Sequence, residues 1–158
     1  MTTKTFDVLM VEDDHEQADL IIDTAQLCQS RIRWAVASDG ETGLQRLRAE
    51  GRFCRAERPE LVLLDLHLPG VDGVEVLRTI KSDPLLRSMP VIIMSQSRDQ
   101  ADIDAAYELG ANGYIAKPGS FEGLCSLVRF LEAFLTLPRA LPSSSAKTPA
   151  PGQQTPIN

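Results

Sequence analysis

LVLLDLHLPGVDG, residues 61–73, carries the strongest local signal for the fold. Its four leading apolar residues form a run with the length and composition of a strand that is buried on both faces. Asp65 ends this run, a Pro-Gly turn follows, and a helical stretch begins at Gly73. Strands buried on both faces are typical of parallel sheets that are covered by helices on each side. The stretch therefore predicts one strand–loop–helix unit of an α/β protein.

The same alternation runs along most of the chain. Strands are predicted at residues 6–11, 32–37, 61–64, 91–94 and 113–116. Helices are predicted at about 15–28, 39–50, 73–82, 98–109 and 120–136. Ser97 and Gln100 are spaced as a capping box at the start of the fourth helix, and Gly110 is a suitable C-terminal stop. Five strands that alternate with five helices predict βαβ units with right-handed crossovers, and so a doubly wound parallel sheet.

The 158-residue chain divides by composition into one domain, residues 1–137, and a tail, residues 138–158. The tail holds half of the ten prolines, interleaved with serine, glycine and glutamine. Such a segment buries too little apolar surface to offset the entropy cost of ordering it. We therefore predict that the tail is disordered.

Charge and composition exclude several classes of function. The net charge is −6, which argues against a nucleic-acid binder because contacts to phosphates depend on Lys and Arg. No apolar run approaches the roughly 20 residues that span a bilayer, and the N-terminus lacks the long apolar segment of a signal peptide. The three cysteines form no CxxC pair, and free thiols are typical of a reducing cytoplasm. We expect a cytoplasmic protein that binds neither nucleic acid nor membrane.

Polar residues follow four of the predicted strands. Glu12 and Asp13 follow the first strand, Asp65 the third, Ser95 the fourth, and Lys117 the fifth. Ligands of doubly wound sheets bind beyond the carboxyl ends of the strands, so we expect these side chains to converge at one edge. Clustered carboxylates repel one another unless a cation neutralises them, and Mg²⁺ takes one or two carboxylates together with water and phosphate oxygens. The set predicts a Mg²⁺-dependent receptacle for a phosphoryl group, with Asp65 as the nucleophile.

A purely structural interpretation exists for part of this set. Acidic residues after a strand often cap the next helix, and Asp14 with Gln17 is spaced for that role. A single aspartate at a strand end is therefore weak evidence for a site. Carboxylates, a hydroxyl and an ammonium group at four strand ends are together much stronger evidence.

The motifs resemble those of the receiver domain of two-component response regulators. The resemblance covers about residues 5–137 and rests on the order and spacing of four motifs. These are residues 11–14 (VEDD), 63–73 (LLDLHLPGVDG), 94–95 (MS) and 113–118 (GYIAKP). The resemblance implies a flavodoxin-like (βα)5 fold with the strand order 2-1-3-4-5.

The resemblance also implies a role for each residue of the site. Asp65 matches the phosphoacceptor, and Ser95 and Lys117 match the switch hydroxyl and the phosphate-binding lysine. Asp13 matches a direct Mg²⁺ ligand, and Glu12 matches a ligand that acts mainly through water. Asp65 itself also belongs to the implied metal site.

Two further positions match the family, and three depart from it, one of them being Ser95, which stands where threonine is commoner but retains the hydroxyl. His67 falls where the family uses a backbone carbonyl as a metal ligand, and Tyr114 falls at the aromatic switch position. Gln96 stands where the family usually has a small residue, so its side chain is expected to crowd the phosphoryl site or to contribute an amide. Gly119 replaces a bulky apolar residue and is expected to loosen its loop.

These matches predict a single-domain response regulator, not an enzyme, that accepts a phosphoryl group from a sensor histidine kinase and signals to a downstream protein. The loop at 51–59 is longer than in the simplest receivers, and no output domain is expected after residue 137. Both features resemble stand-alone regulators that are paired with phytochrome-type kinases.

Two alternatives stand beside this prediction: a receiver-fold scaffold that works without phosphorylation, and an aspartyl-nucleophile phosphatase of the haloacid-dehalogenase class. The phosphatase needs a second aspartate two residues after the nucleophile, where this chain has His67. The intact set of site residues argues against the scaffold.

The last predicted helix carries more apolar residues than a core-facing stripe needs. The stripe comprises Leu124, Leu127, Val128, Leu131, Phe134 and Leu135. Phe130 and Leu137 fall outside the stripe, beside Phe134. Surplus apolar side chains on a terminal helix favour an interface, and the receiver family commonly pairs on this side of the fold. We therefore predict a homodimer through the fifth helix.

Overall fold

The computed structural model describes residues 3–137, so the tail predicted to be disordered, residues 138–158, lies outside the described residues. Strands and α-helices alternate along residues 3–137. The strands are β1 (Phe6–Val11), β2 (Ile32–Ala37), β3 (Leu61–Leu64), β4 (Val91–Ser95) and β5 (Gly113–Ala116). The α-helices are α1 (His15–Leu27), α2 (Gly40–Leu47), α3 (Gly73–Ser82), α4 (Gln100–Glu108) and α5 (Phe121–Thr136).

The five strands pair in parallel, in the order β2-β1-β3-β4-β5. Val11 at the end of β1 lies opposite Leu64 at the end of β3, and Ser95 at the end of β4 lies opposite Ala116 of β5. The carboxyl ends of these strands are therefore level with one another. The predicted flavodoxin-like, doubly wound α/β fold with strand order 2-1-3-4-5 is confirmed.

The sheet is covered by an apolar layer on each face. Alternate residues of β1 and β3 enter opposite layers: Val8 and Leu61 pack with the side chains of α1 and α5, whereas Leu9 and Val62 pack with those of α2 and α3. This two-sided burial explains why the central strands have near-continuous apolar sequences. No helix within residues 3–137 combines the length and apolar character needed to cross a membrane.

The end of α2 and the segment after it differ from the sequence prediction. Helix α2 ends at Leu47 rather than near residue 50, because Ala49 turns to a positive φ of 53° that a helix does not allow. A short 3-10 helix, Gly51–Phe53, follows this turn and was not predicted.

The predicted capping box at the start of α4 is wrong. Asp99, not Ser97, is the N-cap of α4. The Ser97 hydroxyl instead donates to the side chain of Asp102 and accepts the amide of Asp99 at 3.3 Å. The predicted stop at Gly110 is confirmed, since its φ of 100° ends the helix in the left-handed region.

Candidate functional site

The backbone beyond the strand ends continues the pairing of the sheet and so fixes the positions of the site residues. The Glu12 amide donates to the carbonyl of Ala37 at 3.0 Å, and the Asp65 amide donates to the carbonyl of Val11 at 3.1 Å. The Lys117 amide donates to the carbonyl of Ser95 at 2.8 Å. The backbone of each of these three residues is therefore held by a neighbouring strand, and this fixes where each side chain begins.

Lys117 joins the two buried carboxylates of the site. Its Nζ lies 2.8 Å from Asp65 Oδ2 and 2.9 Å from Glu12 Oε2. Burial alone would lower the pKa of Lys117, but the contacts with Asp65 and Glu12 outweigh burial and raise that pKa above its ordinary value. The lysine is therefore held in its charged form between two acidic groups.

Glu12 is almost completely buried, with an exposed fraction of 1%. Its Oε1 accepts the amide of Asp14 at 3.1 Å. Its Oε2 is in contact with Lys117 but outside hydrogen-bond geometry, and it has no hydrogen-bond partner. Burial raises the pKa of Glu12, and the contact with Lys117 only partly offsets this effect. A buried oxygen with an unused lone pair is what a site for water or a cation provides.

Three carboxylates meet at this point. One oxygen from each of Glu12, Asp13 and Asp65 lies within 4.8 Å of the others, and Asp13 is the exposed member of the three. Oxygen ligands of this kind suit a hard divalent cation that keeps several waters, so the donor set fits Mg²⁺ or Mn²⁺. Asp14, next in the chain, does not belong to this cluster. It caps α1 by accepting the amides of Glu16 and Gln17, as the structural interpretation of that residue predicted.

The loop between β3 and α3 supplies backbone groups to the site. The amide of His67 donates to Asp65 Oδ1 at 3.0 Å, while the imidazole of His67 is exposed. Gly73 lets this loop fold back closely, because a Cβ there would lie 2.1 Å from the carbonyl oxygen of Asp65. Gly70 has a φ of 71°, which also favours glycine. The approach of this loop holds the Asp65 carboxylate in place.

Ser95 connects the site to the half-buried Tyr114 through Ser97. Ser95 is fully buried, and its Oγ accepts the amide of Ser97 at 3.1 Å. The Tyr114 hydroxyl donates to the carbonyl of Ser97 at 2.8 Å. Ser97 was interpreted from the sequence only as a helix cap, although its spacing of two residues from Ser95 was available as a signal. The structure instead places it between the predicted switch hydroxyl and the predicted switch aromatic residue.

Gln96 and Gly119, which depart from the family pattern, lie within two residues of Ser95 and Lys117 in the sequence. The side chain of Gln96 is exposed, directly after the buried Ser95. Gly119 is also exposed, and a Cβ at Gly119 would meet no atom within 4 Å. The structure thus brings together Glu12, Asp13, Asp65 and Lys117, places Ser95 at the adjacent strand end, and leaves the imidazole of His67 exposed.

Comparisons with known proteins agree with this arrangement. Residues 8–129 match the family described as "Response regulator receiver domain". The chain is 34% identical to response regulator Rcp1 from Synechocystis sp. over 137 aligned residues. This alignment covers 84% of this chain and 93% of Rcp1.

Two solved structures extend the comparison to three dimensions. The phosphorylated cyanobacterial phytochrome response regulator RcpA is 36% identical, with a TM-score of 0.79 over 89% of this chain and 100% of RcpA. The Mn²⁺-bound form of Rcp1 is 32% identical, with a TM-score of 0.76 over 87% of this chain and 99% of Rcp1. A family match over most of the chain and similarity across the whole length of these regulators show that the chain belongs to the response regulator receiver domains and is similar to their phytochrome-associated type.

Proposed function

We propose that this chain is a stand-alone response regulator that accepts a phosphoryl group on Asp65 from a sensor histidine kinase in a Mg²⁺-dependent reaction. The observation that carries the proposal is the buried contact between Asp65 and Lys117, beside two further carboxylates at the ends of parallel strands. A structural ion pair would need only one carboxylate. The additional exposed carboxylate of Asp13, beside the buried carboxylates of Glu12 and Asp65 that already share one lysine, indicates a site for a cation and a ligand.

In the proposed transfer, a carboxylate oxygen of Asp65 attacks the phosphorus of a phosphohistidine on the kinase. The P–O bond forms as the P–N bond breaks, and the electron pair of that bond stays on the imidazole nitrogen. Lys117 is placed to stabilise the negative charge of one phosphoryl oxygen, and the Ser95 hydroxyl to donate to another. Glu12, Asp13, Asp65 and the backbone carbonyl of His67 would hold Mg²⁺, which supplies positive charge between the anionic donor and the anionic acceptor.

A phytochrome-type histidine kinase is the partner that the relatives favour. RcpA is described as a phytochrome response regulator, and the whole length of RcpA matches this chain. We propose the same class of kinase here, a cytoplasmic location, and a downstream protein that binds the phosphorylated form. Residues 1–137 would make up the receiver domain.

The face formed by α4, β5 and α5 is the proposed dimer interface. A groove of about 490 Å³ runs along this face, and Tyr107, Tyr114 and Phe130 are among the residues that line it. The side chains of Tyr107 and Phe130 are 50% and 45% exposed. A two-fold contact on this face would cover these aromatic groups twice, once in each subunit. Because Tyr114 also bonds to Ser97, the same face is connected to the site.

The Asp65→Asn variant tests the phosphoacceptor. We expect Mg²⁺-dependent labelling by acetyl phosphate, measured as added mass on the intact protein, to disappear in this variant because the nucleophilic carboxylate is gone. Asp14→Asn is the matched control, since Asp14 is a nearby exposed carboxylate outside the cluster and asparagine also caps helices. Chelation of the metal by EDTA is expected to suppress labelling of the wild type. Full labelling of Asp65→Asn would put the acceptor on another residue and refute the assignment, whereas a wild type that is not labelled at all would favour the scaffold alternative.

A further inference from the structure

Helices α1 and α5 lie side by side on one face of the sheet. Two polar contacts join the residues at and just beyond the C-terminal end of α1 to α5. Arg31, just after α1, forms an ion pair with Glu132 of α5, with Nε and Oε1 3.0 Å apart. The Sγ atoms of Cys28 and Cys125 lie 3.6 Å apart, with the Cys28 thiol donating to the Cys125 sulfur. Cys125 and Glu132 are seven residues apart, or about two helical turns, so they lie on the same side of α5.

The two cysteines are well placed for a covalent bond. Cys28 is the C-cap of α1, and Cys125 lies in the second turn of α5. A disulfide requires the sulfurs to approach from 3.6 Å to about 2.05 Å, a movement of about 1.5 Å. The neighbouring ion pair holds the two segments together during this movement. Both thiols are half-buried, so a small reagent can reach them.

We propose that Cys28 and Cys125 form a reversible disulfide that fastens α1 to α5. One cysteine thiolate attacks a low-molecular-weight disulfide such as oxidised glutathione, forms a mixed disulfide and releases one glutathione thiolate. The second cysteine, after losing its proton, attacks the protein sulfur of that mixed disulfide and releases the second glutathione. Two protein thiols are oxidised, one small disulfide is reduced to two thiols, and each released thiolate takes up one of the two protons.

The bond would link residues that are 97 positions apart in sequence. A crosslink across such a long segment restricts the unfolded chain strongly, so oxidation is expected to raise the melting temperature. It would also prevent α5 from moving relative to α1, and α5 contributes Phe130 to the proposed dimer interface. The proposal stands independently of phosphorylation, because no residue of the Asp65 site takes part in it.

The Cys54→Ser variant is the background for the test, because Cys54 is the exposed cysteine and would form bonds between molecules. After treatment with oxidised glutathione, we expect both remaining thiols to disappear, with an intact mass lower by two hydrogen atoms and no attached glutathione. The melting temperature should rise and should return to its starting value with dithiothreitol. Digestion without reduction should yield one peptide pair that contains Cys28 and Cys125.

Two controls complete the test. Adding Cys28→Ser or Cys125→Ser to the Cys54→Ser background should leave one cysteine, which keeps its thiol or carries one glutathione and gives no reversible rise in melting temperature. Retention of both thiols in the background protein would overturn the proposal. So would attachment of glutathione to both cysteines, or crosslinked dimers in place of the intramolecular bond.

Discussion

Lys117 supplies one positive charge in contact with two buried carboxylates, and its removal would leave both without a cationic partner. We expect Lys117→Met to lower the free energy of unfolding by about 3 kcal/mol in metal-free buffer, because a buried ion pair that loses one member leaves an uncompensated charge. Urea unfolding at pH 7 measures this effect. Since the pKa of Lys117 is raised, its contribution is complete below the ordinary lysine pKa of about 10.4 and is lost only as the pH rises through the higher folded value.

Lys4 provides the matched control for that measurement. It forms an ion pair with Glu60 at 3.2 Å, but its side chain is 68% exposed. Lys4→Met is therefore expected to change stability by no more than about 0.5 kcal/mol. Equal losses in the two variants would show that Lys117 does not neutralise the site in the way that the distances indicate.

Gln96 tests how access of water to the site affects the phosphorylated state. Its exposed side chain follows Ser95, so Gln96→Ala should open a path for water and shorten the lifetime of the acyl phosphate about two- to tenfold. Loss of the label after removal of the phosphodonor, at a fixed Mg²⁺ concentration, gives the rate. Gln100→Ala is the control, because that exposed amide is bonded to Asp104 on α4. An unchanged lifetime in Gln96→Ala would show that the departure from the family pattern has no effect on hydrolysis.

The convergence of the site residues followed from the sequence, but the contacts between them did not. The strand ends predicted that Glu12, Asp65 and Lys117 would lie at one edge of the sheet. The sequence did not predict that one lysine would contact both carboxylates, because that depends on side-chain conformations and on burial. The contact between Cys28 and Cys125 was also missed, because it depends on how two helices that are far apart in sequence pack together.

At the level of secondary structure, the loop from β3 to α3 depends on one glycine. We expect Gly73→Ala to lower the free energy of unfolding by about 1–3 kcal/mol, because the new Cβ would displace the backbone of Asp65 and Leu66. Gly119→Ala should raise it by about 0.5 kcal/mol, since that Cβ meets no atom within 4 Å and alanine restricts the unfolded chain. Thermal and urea unfolding of both variants check this contrast. A neutral Gly73→Ala would show that the loop adapts more easily than its geometry indicates.

The strands and the central parts of the helices were predictable from the sequence, whereas the end of α2 was not. The apolar runs of β1, β3 and β4 are explained by burial on both faces, which periodicity detects. The end of α2 coincides instead with the positive φ of Ala49, and Arg46 of α2 and Arg52 of the next segment lie over the ring of Phe53 at 5.2 and 4.7 Å. Helix propensity does not detect a turn of this kind, so the helix ends three residues earlier than its sequence suggests.

At the scale of the whole molecule, the α4–β5–α5 face is the proposed dimer interface. Phe130→Glu should convert a dimer at micromolar concentration into a monomer, because each interface would receive two buried charges. Light scattering gives the mass in solution. The substitution leaves the buried stripe of α5 intact, so the fold should be retained.

Leu85→Glu is the control for Phe130→Glu. Leu85 is 77% exposed, in the connection between α3 and β4, away from the proposed interface. A dimer is expected to persist in this variant. A monomeric wild type, or a Phe130→Glu protein that still dimerises, would return Phe130 to the ordinary exposed apolar residues of a protein surface.

The order of the strands has a consequence for the chain as it leaves the ribosome. Synthesis completes β1 first and β3 later, and their pairing brings Glu12, Asp13 and Asp65 together. Lys117 follows β5, the last strand of the described chain, and so is made after these acidic residues. A nascent chain that has folded as far as β3 would therefore carry three carboxylates without the lysine that pairs with two of them. The site therefore gains the positive charge of Lys117 only when the edge strand is added.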